Sequence, residues 1–411
     1  MPFVLSRKSR VPKMTSMPEV TLKAGREKSI RRRHPWIFSG AVARVDGTPP
    51  TGSTVRLVSQ SREFLAYAAW SPSSQIRLRI WSHDEQESID AAFMKQRVAR
   101  AIELRRQLKL LDKAGACRLV FSESDGLPGL IVDRYGEYLV CQFLSAGGDF
   151  WRDALVSALD ELLSPRAIYE RSEADVRKKE GLESRAGLLR GALPSAPVEF
   201  TIGGMRRVVN IEHGHKTGGY LDQRVNYGRV ASYANGARLL DAYSYSGGFA
   251  IAALLEGAMG ATLIDSSADA LATAEQQAAL NGVADRCTYT NANVPEELRR
   301  LRKSQEQFDI VVLDPPKFVS SAQQLKSGCR GYKDINMLGL QLLKPGGILA
   351  TFSCSGHVSS DLFQKIVAGA AVDVNRNVQI LERLSQAPDH PVELQFPEGE
   401  YLKGLMLHVV E

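Results

Sequence analysis

The sequence predicts an α/β protein whose C-terminal half is a doubly wound parallel sheet. A small β-barrel and a small α+β linking domain precede it. Three observations carry this reading. From residue 239 onward, short unbroken apolar runs alternate with helical stretches, as in strands buried on both faces. Those runs lead into acids or a thiol, with Asp241, Asp265, Asp314 and Cys354 at or just past strand ends. Open parallel sheets bind their ligands at that edge. The first ninety or so residues instead hold several short apolar runs separated by turn residues, the pattern of a small barrel.

Composition sets the outer limits. A chain of 411 residues is two or three domains, and 44% hydrophobic with 24% charged residues is a soluble globular balance. No apolar run approaches the roughly 20 residues needed to cross a bilayer, so no membrane partner is expected. The basic start MPFVLSRKSRVPKM lacks the apolar core of a signal peptide. Five cysteines, odd in number and without CxxC spacing, imply reduced thiols in the cytoplasm and no metal site. A net charge of +6 permits a nucleic-acid partner without requiring one.

Taken in order, residues 1–17 read as a flexible basic tail, or as an extension ahead of a start at Met17. Over 18–90, strands are expected at 20–22, 36–38, 54–58, 64–70 and 76–81, with a turn at 47–52. Lys23, Arg26, Lys28, Arg31, Arg32 and Arg33 crowd between the first two strands. With His34 and Trp36 such an edge can hold phosphates and stack on a base. It is equally the pattern of a solvated charged face over a packed Trp. Over 91–197, helices at 91–111 and 150–163 accompany strands at 119–120, 129–133, 139–143 and 166–169, and 182–197 reads as a patternless joint. Over 198–411, a hairpin turns at Gly203 and Gly204, and the sheet domain proper starts near His213. Strands follow at 239–242, 261–264, 287–290, 310–313 and 348–352, with helices at 247–257, 268–281 and 334–343. Runs at 378–382 and 402–410 pair antiparallel at the edge.

The chemistry sits in two stretches, FDIVVLDPPKF (308–318) and QLLKPGGILATFSCSGH (341–357). A lone cysteine is usually a small buried hydrophobe. Consecutive strands of such a sheet usually lie about 4.8 Å apart, which brings Asp314 and Cys354 to one cleft. An acid beside a thiol is a candidate nucleophile with its partner. The first strand turn, LLDAYSYSGGFAIAALL, has no GxGxxG, which counts against a dinucleotide oxidoreductase. Gly247 and Gly248 still admit a ligand to the backbone, and Asp265, about 24 residues after Asp241, suits ribose hydroxyls. A nucleoside without pyrophosphate, such as S-adenosylmethionine (SAM), fits this shortened loop.

The segments GREKSIRRRHPWIFSGAV and FLAYAAWSPSSQIRLRIWS resemble the PUA RNA-binding domain that opens the family of ribosomal RNA large subunit methyltransferase I. The resemblance runs from about residue 18 along nearly the whole chain, through DGLPGLIVDRYG and GYKDIN. It implies a Rossmann-like class I methyltransferase sheet and SAM as cofactor. The cofactor residues so implied are Asp241, Tyr243, Ser246, Gly247, Gly248, Asp265, Asp314 and Arg224. Asn293 stands where the family carries an aspartate on the adenine amino group. The implied partner is large-subunit (23S) ribosomal RNA, held by Arg31, Arg32, Arg33, Trp36, Lys317, Arg330 and Lys333, with Tyr332 beside them. The implied product is 5-methylcytosine, with Cys354 adding to C6, Asp314 at N3 and the Pro315 carbonyl on the amino group. Lys317 and His357 are the groups nearest in sequence to activate the thiol, and Asp389, His390 and Pro391 form a turn near the cleft. Two rivals stand beside this reading, an RNA N-methyltransferase acting on guanine or adenine and a non-catalytic RNA-binding assembly factor. A homodimer is left open.

Overall fold

A computed structural model describes residues 17–173, 175–212 and 218–410. Residues 1–16 of the tail expected at 1–17 and the domain start expected at His213 lie outside the described residues. The first domain is a mixed sheet of six strands: Glu19–Leu22, Trp36–Phe38, Val42–Val45, Thr54–Val58, Phe64–Trp70 and Ile76–Ser82. Val20, Leu22, Ile37, Val55, Leu57 and Leu78 alternate inward to form its core. Val42–Val45 was not expected. It has no buried residue and is held by antiparallel pairing to Glu19–Leu22.

The middle domain has five strands in the order Arg185–Gly191, Ala167–Ser172, Tyr138–Phe143, Leu130–Tyr135, Ala116–Phe121. Helices Ala91–Gln107 and Arg152–Leu163 pack together beside it. The stretch 182–197 is therefore no patternless joint. Arg185–Gly191 pairs antiparallel with Ala167–Ser172, and as a largely exposed edge strand it carries no apolar alternation. Ala69 and Trp81 of the first domain belong to the middle domain's core. A Cβ on Gly147 would lie 2.4 Å from Ala69 Cβ and 2.9 Å from Trp81 Cζ2, so only glycine permits this contact. Arg79 crosses the same boundary to buried Glu180, at 2.8 Å.

The C-terminal sheet comprises β1 (Arg238–Ala242), β2 (Gly260–Asp265), β3 (Cys287–Asn291), β4 (Phe308–Leu313), β5 (Leu343–Ser353), β6 (Val378–Ser385) and β7 (Lys403–Val409). Its order is β3-β2-β1-β4-β5-β7-β6, with β1 to β5 parallel and β7 antiparallel to both β5 and β6. Ala242 pairs with Leu313 and Leu313 with Thr351, so the carboxyl ends of β1, β4 and β5 share one edge. The chain reverses direction across the sheet between β1 and β4, which opens a crevice there. Helices α1 (Arg224–Ala231), α2 (Gly248–Leu255), α3 (Ala268–Leu280), α4 (Val294–Lys303), α5 (Leu325–Leu342) and α6 (Ser360–Asp373) belong to the same domain.

Helix α5 begins nine residues before the expected start. Gly328 and Gly331 read as helix breakers, but a Cβ on Gly328 would lie 2.3 Å from Val319 Cγ2 and 2.8 Å from the Phe318 carbonyl. These glycines let the loop after β4 lie on the helix.

Asp389, fully buried in the connection from β6 to β7, ties this domain to the middle one. Its Oδ2 accepts the Arg118 backbone N–H at 3.0 Å and Arg224 Nη1 at 3.4 Å, and its carbonyl accepts Arg105 Nη2 at 2.7 Å. Burial alone would raise its carboxyl. His390, the Arg224 guanidinium and the Arg118 N–H outweigh that and hold it down to about 2. A depressed acid stabilises the fold above its unfolded pKa, and that contribution fades as pH falls from about 4 toward 2. Asp389→Asn is expected to cost about 2 kcal/mol at neutral pH and to flatten the acid limb over that window. Urea unfolding of both proteins at neutral pH and at about pH 3 checks this, and equal losses at the two pH values would refute it.

Candidate active site

The loop after β1 is strained. Tyr243 (φ 64°), Tyr245 (φ 46°) and Gly247 (φ 75°) all adopt left-handed backbone, which costs a non-glycine residue roughly 1–2 kcal/mol. Such strain collects at ligand sites. Asp241 is 1% exposed, and its Oδ2 accepts the Ala250 N–H at 3.1 Å. Its Oδ1, the Tyr243 hydroxyl and Ser244 Oγ have no hydrogen-bond partner among the described residues. Burial pushes the Asp241 carboxyl up to about 8, opposed by the Ala250 N–H and reinforced by Asp314 and Asp265. Asp241 at the end of β1 and Ser244 in the loop thus keep buried polar atoms, each costing about 1–3 kcal/mol unmet, that a polar ligand can satisfy. A nucleoside amino acid such as SAM carries the groups to meet them.

At the end of β2, Asp265 Oδ2 accepts the Tyr245 N–H at 2.8 Å and Oδ1 accepts the Ser267 N–H at 2.9 Å. These bonds orient the carboxylate and leave each oxygen a second lone pair for ribose hydroxyls. Ser246 is buried, and Arg207 Nη2 donates to its Oγ at 2.6 Å. Arg207 was not anticipated, although Met205, Arg207 and Val209 alternate inward on the hairpin strand. Gly248 meets a fit requirement of its own, since a Cβ there would lie 2.6 Å from the Tyr227 ring. Two expected cofactor residues have other duties. Asn293 is exposed and caps α4, its Oδ1 accepting the Glu296 N–H. Arg224 Nη1 donates to the Ala116 carbonyl at 2.8 Å and faces Asp389, in the seam to the middle domain.

Asp314 and Cys354 follow the ends of adjacent strands β4 and β5, and both are half-buried. Their loops are bonded to one another. The Val319 N–H donates to Ser355 Oγ at 3.1 Å, and the buried Tyr332 hydroxyl lies 2.9 Å from the same oxygen. Gln223 Nε2 donates to Asp314 Oδ2 at 3.0 Å, and Asn226 Nδ2 holds Gln223 Oε1 at 2.6 Å. Tyr220 is near both groups: burial raises its phenol most, then Tyr245, Asp314, Asp222 and Cys354 in turn. Gln223 and Tyr220 were missed because they precede β1 and reach the cleft only through the fold.

The expected RNA contacts divide. Arg32, Arg33, Lys317 and Arg330 are exposed, and Arg31 is exposed but paired with Glu63 at 2.5 Å. Lys333 is paired with Asp373 at 2.7 Å. Tyr332 is fully buried, so it is removed from this set. Trp36 is wedged between domains: its indole N–H donates to Glu123 at 2.8 Å, and its ring packs edge-on against Phe396 at 4.7 Å. It is a packed tryptophan and not an open platform for a base. Asp389 and His390, expected beside the cleft, are buried in the seam.

This sheet order, glycine loop and ribose-type acid define an S-adenosylmethionine-dependent methyltransferase. Residues 185–405 match the family model of that description, and residues 20–83 match a PUA-like domain. The chain belongs to the ribosomal RNA large subunit methyltransferase I family. It is 49% identical over 394 residues to the protein of that name from Klebsiella pneumoniae strain 342, covering 96% of this chain and 98% of the relative. The Shewanella amazonensis relative of the same name is 50% identical over 391 residues, covering 95% and 99%. Among solved structures, a methyltransferase complexed with SAH aligns with a TM-score of 0.83 at 20% identity, over 95% of this chain and all (100%) of that one. A Streptococcus mutans chain described as SAM-dependent aligns at 0.81, also 20% identical with the same 95% and 100% coverage. Among the described residues, no helix is long and apolar enough to cross a membrane.

If Asp265 holds the ribose, Asp265→Ala weakens SAM binding by about 1–3 kcal/mol, the cost of buried polar groups left unmet. Calorimetry showing wild-type affinity would remove Asp265 from the site.

Proposed function

We propose that this chain methylates C5 of a cytosine in large-subunit ribosomal RNA through a covalent bond between Cys354 and C6. The observation that carries this is the acid and thiol at adjacent strand ends, their loops joined by the Val319–Ser355 hydrogen bond. The relatives' shared name supports the substrate class, as do the PUA-like domain and the exposed cations Arg32, Arg33, Lys317 and Arg330.

Asp241, Ser244, Gly247 and Asp265 would hold the cofactor, which supplies an electrophilic methyl when bound. The target base must leave its stack to reach the crevice. The Cys354 thiolate adds to C6, and the ring electrons move toward N3. Asp314 hydrogen-bonds or protonates N3 as that charge develops. C5 is then an enamine carbon able to take the methyl, and as it does so the N3 electrons return to the ring and N3 gives its proton back to Asp314. Loss of the C5 proton to a base restores the C5–C6 double bond and expels the thiolate.

The test is the methylated-nucleoside profile of ribosomal RNA from cells with and without the gene. Loss of one 5-methylcytosine supports the proposal. Loss of a methylated guanine or adenine replaces it with N-methylation, and an unchanged profile points to a non-catalytic assembly factor.

A further inference from the structure

The β5–β7 pairing brings a buried cation to the thiol. Lys403 opens β7 and pairs across the sheet with Ser353, the residue before Cys354. It is 6% exposed, and its Nζ donates to the Ser355 carbonyl, the residue after Cys354, at 2.8 Å. Among the described residues no carboxylate lies within ion-pair distance of it. Burial disfavours its charge most, Lys317 adds to that effect, and Cys354 and then Glu400 favour the charge. A buried ammonium lacking a carboxylate needs another anion nearby. Among the described residues, the other charged or titratable groups around this pair include Asp314, Tyr220 and Tyr332, and both phenols are raised above their usual range. Lys317 and His357, the nearest candidates in sequence, are exposed.

We propose that Lys403 is a positioning residue that keeps Cys354 as the thiolate, while its bond to Ser355 fixes the turn presenting the sulfur. This rests on the reading of Cys354 as nucleophile. The thiol proton leaves to solvent, and Lys403 stays protonated and transfers nothing. When the methylated base departs, the sulfur returns as a thiolate beside the same cation.

The experiment is iodoacetamide alkylation of the full-length protein across pH, with the Cys354 peptide quantified by mass spectrometry. Wild type, Lys403→Met and Lys403→Arg are compared. Wild-type Cys354 is expected to titrate below the roughly 8.5 of an unperturbed thiol. Lys403→Met raises that midpoint by about one unit, so alkylation at neutral pH slows about tenfold. Lys403→Arg keeps the cation and stays near wild type. Cys287 and Cys329, read in the same digest, do not move. Unchanged SAM affinity shows that each variant is folded. A Lys403→Met profile superimposed on wild type overturns the proposal. Should that variant fail to bind SAM, a wild-type midpoint at or above about 8.5 overturns it alone, and one below that value with Lys403→Arg matching it upholds it. Failure of the nucleophile reading looks different: Cys354→Ala would keep methylating while the alkylation profiles stand.

Discussion

Cys354→Ala is expected to abolish methyl transfer, by on the order of 10⁴-fold or more, while SAM affinity stays near wild type. The separation follows from what the thiol is for. A ring or exocyclic nitrogen carries its own lone pair and attacks a methyl unaided, whereas cytosine C5 becomes nucleophilic only after addition at C6. The loop after β1, proposed to hold the cofactor, uses none of this chemistry. In wild type, 5-fluorocytosine at the target position traps a protein–RNA adduct, because fluorine prevents loss of the C5 proton. Mass spectrometry places the adduct on Cys354, and it is absent from Cys354→Ala. Substantial activity in Cys354→Ala with no trapped adduct would rule out C5 chemistry and leave N-methylation.

Much of the sheet domain was readable because its strands are buried on both faces. Runs such as Ile310 to Leu313 are short, continuous and apolar, and turn residues bound them. The acids at strand ends were readable for the same reason, since a polar residue closing such a run must face the sheet edge. Edge strands were harder. Arg185–Gly191 exposes most of its side chains, so its sequence carries no inward stripe. Helix α5 extends nine residues before its expected start, through Gly328 and Gly331, and the contact of Gly328 with Val319 that favours glycine there is tertiary.

The site was readable only where chemistry lies on the strand that presents it. Lys403 is 49 residues beyond Cys354 and meets it through antiparallel pairing, a relation no local motif encodes. Trp36 shows the opposite failure. A tryptophan among cations suits a base platform and a packed face equally, and the choice is made by Phe396, some 360 residues away. Arg224 was among the cofactor residues that the family resemblance implied. Its seam bonds instead fix the start of α1, and with it the adjacent Gln223 that holds Asp314. The middle domain thus reaches the acid through two consecutive residues.

Asp314→Asn is expected to lower turnover by about 10²–10⁴-fold, the usual range for a positioned acid or base. Asparagine has the same shape, and its carbonyl still accepts from Gln223 Nε2, so the loop after β4 keeps its place. What is lost is the acid that hydrogen-bonds or protonates N3, which matters only as negative charge develops there. SAM affinity and Cys354 alkylation therefore persist. Gln223→Leu, which removes the orienting bond but leaves the carboxylate, costs less, about tenfold. An independent readout comes from Asp241, whose carboxyl is pushed up to about 8, first by burial and in part by Asp314. Neutralising Asp314 lowers that midpoint. A raised folded-state pKa means Asp241 stabilises the protein at low pH and loses that contribution as pH rises through about 8. In Asp314→Asn the same loss, which starts near the unfolded carboxyl's pKa, is complete at a lower pH. Activity within about threefold of wild type would remove Asp314 from the reaction, and an unmoved alkaline limb would show that its charge does not reach Asp241.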